Sequence, residues 1–201
     1  MDRSDFDTRA RTWDTDDKRY RASRVADRLR AAVDLGRVGR ALEYGCGTGL
    51  LSFEMKNELA EVVLADTSQG MLEVAQQKIT DSGVSHFSVQ RLDLAAGDSP
   101  GRPFDLIFTL LTLHHIPDTP GILQAFHDCL NSGGHLVIVD LEAEDGSFHG
   151  PDVDVHHGFR RDDLTRQLAQ AGFAGTVIED CLQLSRHERD YGVFFASAHR
   201  E

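Results

Sequence analysis

Cysteine is scarce in this 201-residue chain. Cys46, Cys129 and Cys181 are an odd number without metal-ligand spacing, which excludes a disulfide scaffold and predicts a reducing, cytoplasmic setting. Long hydrophobic runs are missing too. The longest, near residues 106–113, is far below the roughly 20 residues of a membrane-spanning helix, and the polar start Met1-Asp2-Arg3-Ser4-Asp5 has no secretory pattern. A soluble protein with no membrane partner is expected. Basic charge is in deficit, with 21 Lys and Arg against 33 Asp and Glu and a formal net charge of −12. Phosphate backbones are bound chiefly through clustered Lys and Arg, so nucleic acid is disfavoured as a partner. Repeats and low-complexity stretches are absent, and the length suits one core, so residues 1–201 are expected to form a single domain.

What the chain does have is concentrated at residues 41–52, Ala-Leu-Glu-Tyr-Gly-Cys-Gly-Thr-Gly-Leu-Leu-Ser. A short apolar run reads as a buried strand. Leu50, Leu51, Phe53, Met55 and Leu59 read as a helix, with Gly45, Gly47 and Gly49 as the turn between. Glycine there tolerates positive φ and lets a ligand approach the backbone, while the N–H groups of the following helix suit an anion or carboxylate. Cys46, inside the turn, reads as a small packing residue in preference to a reactive thiol.

Further apolar runs follow at strand–helix spacing. Val62-Val63-Leu64-Ala65 ends in Asp66, placed to accept both hydroxyls of a ribose, and Phe87 to Leu92 ends in Asp93. Phe104 to Leu113 forms a fourth run and His135 to Leu141 a fifth. Helices are predicted from Ser68, from Thr119-Pro120 and over 162–171. Two closing strands, about 174–184 and 191–199, flank the charged segment 186–190 as a hairpin. The alternation predicts an α/β fold with a mostly parallel sheet covered by helices on both faces.

The chain resembles the class I S-adenosylmethionine-dependent methyltransferases, of the small-molecule type that includes the ubiquinone and menaquinone enzymes. Glu43-x-Gly45-x-Gly47-x-Gly49 resembles that family's first motif, and Phe104-Asp105-Leu106-Ile107-Phe108 its fourth-strand motif. Leu113-His114-His115-Ile116 resembles the segment that follows it. Leu130-Asn131-Ser132-Gly133-Gly134 resembles the turn before strand five, with Asn131 and Ser132 departing from the usual pattern. The resemblance implies a Rossmann-like three-layer sandwich with a seven-stranded sheet and one antiparallel strand near the C-terminus. It also implies S-adenosyl-L-methionine as cofactor, with Asp66 on the ribose diol and Asp93 on the adenine amino group beside Leu94. Glu43, Cys46, Thr67, Met71, Thr109 and Leu110 complete the cofactor set it suggests. A nicotinamide dehydrogenase would read Gly-x-Gly-x-x-Gly, against which the register and Asp93 decide.

Residues 1–35 are expected to be a helical lid over a cofactor-binding core of residues 36–201. Ala22, Val25, Ala26, Leu29 and Val33 recur at helical spacing beside Lys18, Arg19, Arg21, Arg24, Arg28 and Arg30. That basic face either pairs with the acidic body or recognises an anionic substrate group. Phe6, Trp13 and Tyr20 either pack on the sheet or place an aromatic face, from Trp13 or Tyr20, over the sulfonium. The long loop 142–160 is a second candidate wall. Methyl transfer needs chiefly alignment and dryness, so a base is optional; His114, His115 and His149 are the candidates if one is used. His156-His157 with Asp152 and Asp154 carries no fixed ligand geometry, and no metal is predicted. The expected acceptor is a small molecule. A protein methyltransferase, favoured only by the acidic residues 142–145, and a non-catalytic cofactor-binding partner protein are the alternatives.

Overall fold

The computed structural model describes residues 3–150 and 153–201. After the N-terminal helices α1 (Arg3–Arg9) and α2 (Asp16–Ala32), strand and helix alternate: β1 (Ala41–Tyr44), α3 (Leu50–Glu54), β2 (Val62–Asp66), α4 (Gln69–Ser82), β3 (Phe87–Arg91). They continue as β4 (Phe104–Leu110), α5 (Thr119–Cys129), β5 (Leu130–Leu141), α6 (Arg161–Gln170), β6 (Phe173–Arg186) and β7 (Arg189–Arg200). The seven strands lie in the order β3-β2-β1-β4-β5-β7-β6. Only β7 runs against its neighbours, pairing antiparallel with both β5 and β6. The expected α/β sandwich with one antiparallel strand is what the chain forms.

Local chemistry explains the element boundaries. Thr15 caps α2 by accepting from Lys18 N, and Asp16, Asp17 and Arg30 match the helix dipole at its two ends. Ser68 caps α4 by accepting from Met71 N, and Gly83 ends it in the left-handed conformation. Asp118 caps α5, which carries proline in its first turn. Strands β1, β2 and β4 are apolar along nearly their whole length because helices cover both faces. On one face Ala22, Val25, Leu29, Leu51, Met55 and Ala75 share a core. On the other Leu42, Ile107, Leu123, Phe126, Leu164 and Phe194 form a second.

Three details differ from expectation. The helix after the glycine turn ends at Glu54, and Met55 and Leu59 are buried from a turn in which Leu59 N–H bonds Met55 O. Their apolar spacing reflects packing and not helix. Strand β5 starts at Leu130, opposite Phe104, and bulges before His135 pairs with Leu106, so the Gly133-Gly134 turn lies inside the strand. The β6–β7 hairpin turns on His187 and Glu188 alone, both at positive φ, and pairing reaches Arg186 and Arg189.

Candidate cofactor and acceptor site

A cavity of about 670 Å³ opens over the carboxyl ends of the parallel strands. This is where such sheets bind ligands, because the loops leaving adjacent strands diverge there. Its floor is the turn after β1. Gly45, Gly47 and Gly49 all have positive φ, but their surroundings differ. A Cβ on Gly45 would overlap the Thr112 side chain. At Gly49 it would lie 2.9 Å from Leu64 Cδ1, and Gly49 does not line the cavity. At Gly47 a Cβ would stand in the cavity, 3.5 Å from Trp13 Nε1 and 3.9 Å from Met71 Sδ. One glycine opens the floor and the other two let strands and helix close around it.

Acids edge the same half. Asp66 Oδ2 accepts from Gly47 N at 2.8 Å and Oδ1 from Ser68 N at 2.8 Å. Burial pushes its carboxyl above the usual range, against the pull of those bonds. Glu43 accepts from Ser52 N at 3.1 Å and Ser52 Oγ at 2.5 Å, tying the end of β1 to α3, and burial lifts it to about 7. Asp93 lines the cavity while accepting from Ala96 N at 3.2 Å. Thr67, Met71, Leu110 and Cys46 line it as expected, and burial drives the Cys46 thiol far up, leaving it inert. Leu94 lies behind the wall, its N–H donating to Tyr44 Oη at 3.2 Å. Thr109 is buried in β4 one residue behind the wall residue Leu110.

The N-terminal segment covers this half. Asp7 clamps the start of α4, accepting from Ser68 Oγ at 2.6 Å and Gly70 N at 2.8 Å. Asp14 accepts from Thr48 Oγ1 and from Lys78 Nζ. Phe6 meets Trp13 edge to face at 5.7 Å, and Lys18 Nζ lies 3.2 Å from the Trp13 ring centre. Burial and then the charges of Arg9 and Arg21 lower Lys18 to about 8. Tyr20 is no part of the cover: it is 70% exposed, because Lys18, Arg21 and Ala22 take the cavity face of α2 and Tyr20 falls on the opposite one. The basic face divides likewise. Arg28 and Arg30 pair with Glu179 and Glu58, whereas Lys18 and Arg21 line the cavity.

The other half is built from histidines. His114 and Asp140 are both buried, with His114 Nδ1 2.6 Å from Asp140 Oδ1. Asp140 also accepts from His114 N and Leu141 N, so its charge is held by three donors. His149, from the 142–160 loop, brings Nε2 to 3.0 Å from His114 Nε2, and the His115 ring lies 4.1 Å from that of His114. Burial, then the neighbouring His114, lowers His115 to about 3 and His149 to about 4, so both are neutral imidazoles at physiological pH. His156 lies apart from this cluster. Its N–H bonds His114 O at 2.8 Å and its ring reaches Ile116 O at 3.0 Å, pinning the loop. Asp152 falls outside the described residues.

Sequence reasoning missed Tyr44, Thr112 and Arg186 in the wall and Asp140 behind His114, while Phe148 comes from the 142–160 loop expected to form a wall. Asp140 carried a signal: a carboxylate inside the apolar run Leu136–Leu141 must find buried donors. Arg186 carried none, being brought in by the β6–β7 hairpin.

Glycine floor, acids after successive strands and a pocket at their carboxyl ends define an α/β protein that binds an adenosine-type cofactor. Residues 18–177 match the family described as a methyltransferase domain, and the chain belongs to that family, as a class I S-adenosylmethionine-dependent member. It is 34% identical over 110 residues to a ubiquinone biosynthesis O-methyltransferase of Xanthomonas euvesicatoria pv. vesicatoria (strain 85-10), covering 54% of this chain and 46% of that protein. To the aklanonic acid methyltransferase DauC of Streptomyces sp. (strain C5) it is 29% identical over 112 residues, 54% and 51% of the two chains. The matches thus span about half the length of these relatives. The DhpI–SAH complex superposes with TM-score 0.74 at 22% identity, over 98% of this chain and 94% of that one. The [4+2]-cyclase SpnF gives TM-score 0.74 at 17% identity, over 89% and 80%. S-adenosylmethionine is the cofactor of the family, and the open face of Gly47 beside Asp66, Asp93 and Met71 fits it. Among the described residues no helix is long and apolar enough to cross a membrane.

Proposed function

We propose that the protein is a cytoplasmic enzyme that transfers a methyl group from S-adenosylmethionine to an oxygen of a small-molecule acceptor. The observation that carries this reading is one continuous cavity with two chemically distinct halves under one cover. Bound S-adenosylmethionine supplies a methyl group already activated for displacement by its attachment to a sulfonium. Asp66 would hold the ribose diol by charge-assisted hydrogen bonds, Asp93 the adenine amino group, and Gly47 would admit the part of the molecule that runs along the backbone. Lys18 and Arg21 would offer positive charge to the amino-acid carboxylate, and Trp13, which lines the same part of the cavity, would cover the sulfonium end.

The acceptor enters between Phe148, Arg186 and the histidines. Asp140 fixes the His114 ring by accepting from its Nδ1, and His114, His115 and His149 together form the wall against which an acceptor hydroxyl is aligned. Phe6, Trp13 and Phe148 keep water out. The name of the O-methyltransferase relative supports oxygen as the atom methylated. The sheet alone does not, since a cyclase shares it. Incubation with isotopically labelled S-adenosylmethionine and a panel of phenols, hydroxyquinones and carboxylic acids should label a hydroxyl-bearing compound. Label appearing only on a protein substrate or only on amines would overturn the choice of acceptor.

A further inference from the structure

The cavity's histidine half holds a polar arrangement that hydrogen bonding within the protein leaves incomplete. Asp140 is buried and accepts only, so the His114 nitrogen facing it, Nδ1, carries the proton, and Nε2 presents a lone pair to the cavity. His149 Nε2 lies 3.0 Å from that lone pair. If His149 carries its proton on Nε2 it satisfies His114, but its own Nδ1 is then a buried acceptor with no partner. If it carries the proton on Nδ1, that donor is unpartnered and two lone pairs face each other. Neither tautomer satisfies the pair. With the proton on Nδ1, a cation between the two Nε2 atoms takes up both facing lone pairs, which no arrangement of the two neutral rings does.

Metal-binding geometry fits the rest. Donor nitrogens of His114, His115 and His149 all lie within 4.8 Å of one another. Ligands of a tetrahedral ion with metal–nitrogen bonds of about 2.1 Å stand about 3.4 Å apart, so the His114–His149 separation is close to that spacing and a ring rotation of His115 closes the set. Asp140 behind His114 is the carboxylate that fixes tautomer and ring orientation in such sites, and adds the negative charge that three neutral imidazoles lack. Imidazole donors select zinc, cobalt, nickel or copper over magnesium or calcium.

We propose that His114, His115 and His149 bind one divalent transition-metal ion, of the zinc or cobalt type, in the acceptor half of the cavity, leaving a coordination position open toward it. Binding of the ion does not depend on methyl transfer. Its use does rest on the function proposed above: an acceptor oxygen takes the open position, and a coordinated hydroxyl sheds its proton to solvent more readily than a free one.

The test is titration of chelator-stripped full-length protein with Co²⁺, read by visible absorption, and with Zn²⁺, read by calorimetry. One ion per chain with d–d bands of low-symmetry nitrogen coordination is expected. His149→Ala and His115→Ala should each abolish the bands, and Asp140→Asn should weaken binding about 10- to 100-fold. His127→Ala and His157→Ala, outside the cluster, should leave it unchanged. Demethylated cofactor binding, measured on each variant, shows that the fold survives; if Asp140→Asn fails this check, the His149→Ala and His115→Ala results decide. Absence of Co²⁺ bands in the parent protein, or bands that persist in both His149→Ala and His115→Ala, would overturn the site. Since no acceptor is needed, a protein that binds the ion but methylates nothing refutes only the proposed function.

Discussion

The two halves of the cavity are made in opposite ways. In the cofactor half, Gly45, Gly47, Asp66 and Asp93 each end or follow a strand, and their polar atoms are held by nearby backbone: Asp66 by Gly47 and Ser68, Asp93 by Ala96. In the acceptor half, His114 comes from the 3-10 turn Leu113–His115 that follows β4, Asp140 from β5, His149 from a long loop and Arg186 from the terminal hairpin. A half built from repeating strand–turn–helix units reads as a motif. A half assembled from distant loops is free to vary without disturbing the sheet, which is where one fold acquires different acceptors.

The comparison breaks or sharpens under substitution. The largest effect on the cofactor half is expected from Asp66→Ala, which should cost about 1.5–3 kcal/mol of binding for the demethylated cofactor, the range for hydrogen bonds to a charged group. His149→Ala should leave that affinity unchanged. Calorimetry on both separates the halves, and equal losses would show them to be one unit. Trp13→Ala comes next: with the ring facing the sulfonium as proposed, it weakens S-adenosylmethionine by about 0.5–2 kcal/mol and the product less, since the product lacks the sulfonium charge.

A smaller effect is set by pH. Lys18 is held down to about 8 by burial and by Arg9 and Arg21, so it loses its charge as pH rises through that value. If it faces the carboxylate of the cofactor, affinity falls above about pH 8, and Lys18→Met flattens the profile. Stability of the cofactor-free protein moves the other way. Between about 8 and the ordinary lysine value of 10.5 the unfolded chain binds more protons than the folded one, so this group makes folding more favourable as pH rises. Opposite slopes in binding and in thermal unfolding would identify Lys18; parallel slopes would not. Smallest of all, Tyr20→Ala should change stability by less than about 0.5 kcal/mol and leave cofactor binding intact, since its ring lies outside the cavity.

From sequence alone the order of strands and helices, the glycine floor and the two acids were legible, because each is a local consequence of composition. An apolar run must be buried, a serine before it caps a helix, and three alternate glycines after a strand mark a turn of positive φ. Trp13 was legible as one of two aromatic candidates for the cavity cover, but that it and not Tyr20 lines the cavity was not. That depended on which face of α2 the clamps at Asp7 and Asp14 turn toward the cavity. The apolar residues Met55 and Leu59 fixed burial without fixing helix, since a turn buries them equally well. Gly49, Leu94 and Thr109 had the right neighbours in the chain and yet stand behind the wall, one shaped by Leu64, one bonded to Tyr44 and one facing the core. What only the tertiary structure decided is the meeting of His114, His115 and His149 in front of Asp140. The sequence holds these as a dipeptide, a strand residue and a loop residue, and their chemistry exists only once β5 and the 142–160 loop lie beside β4, an arrangement set by long-range packing that no local spacing encodes.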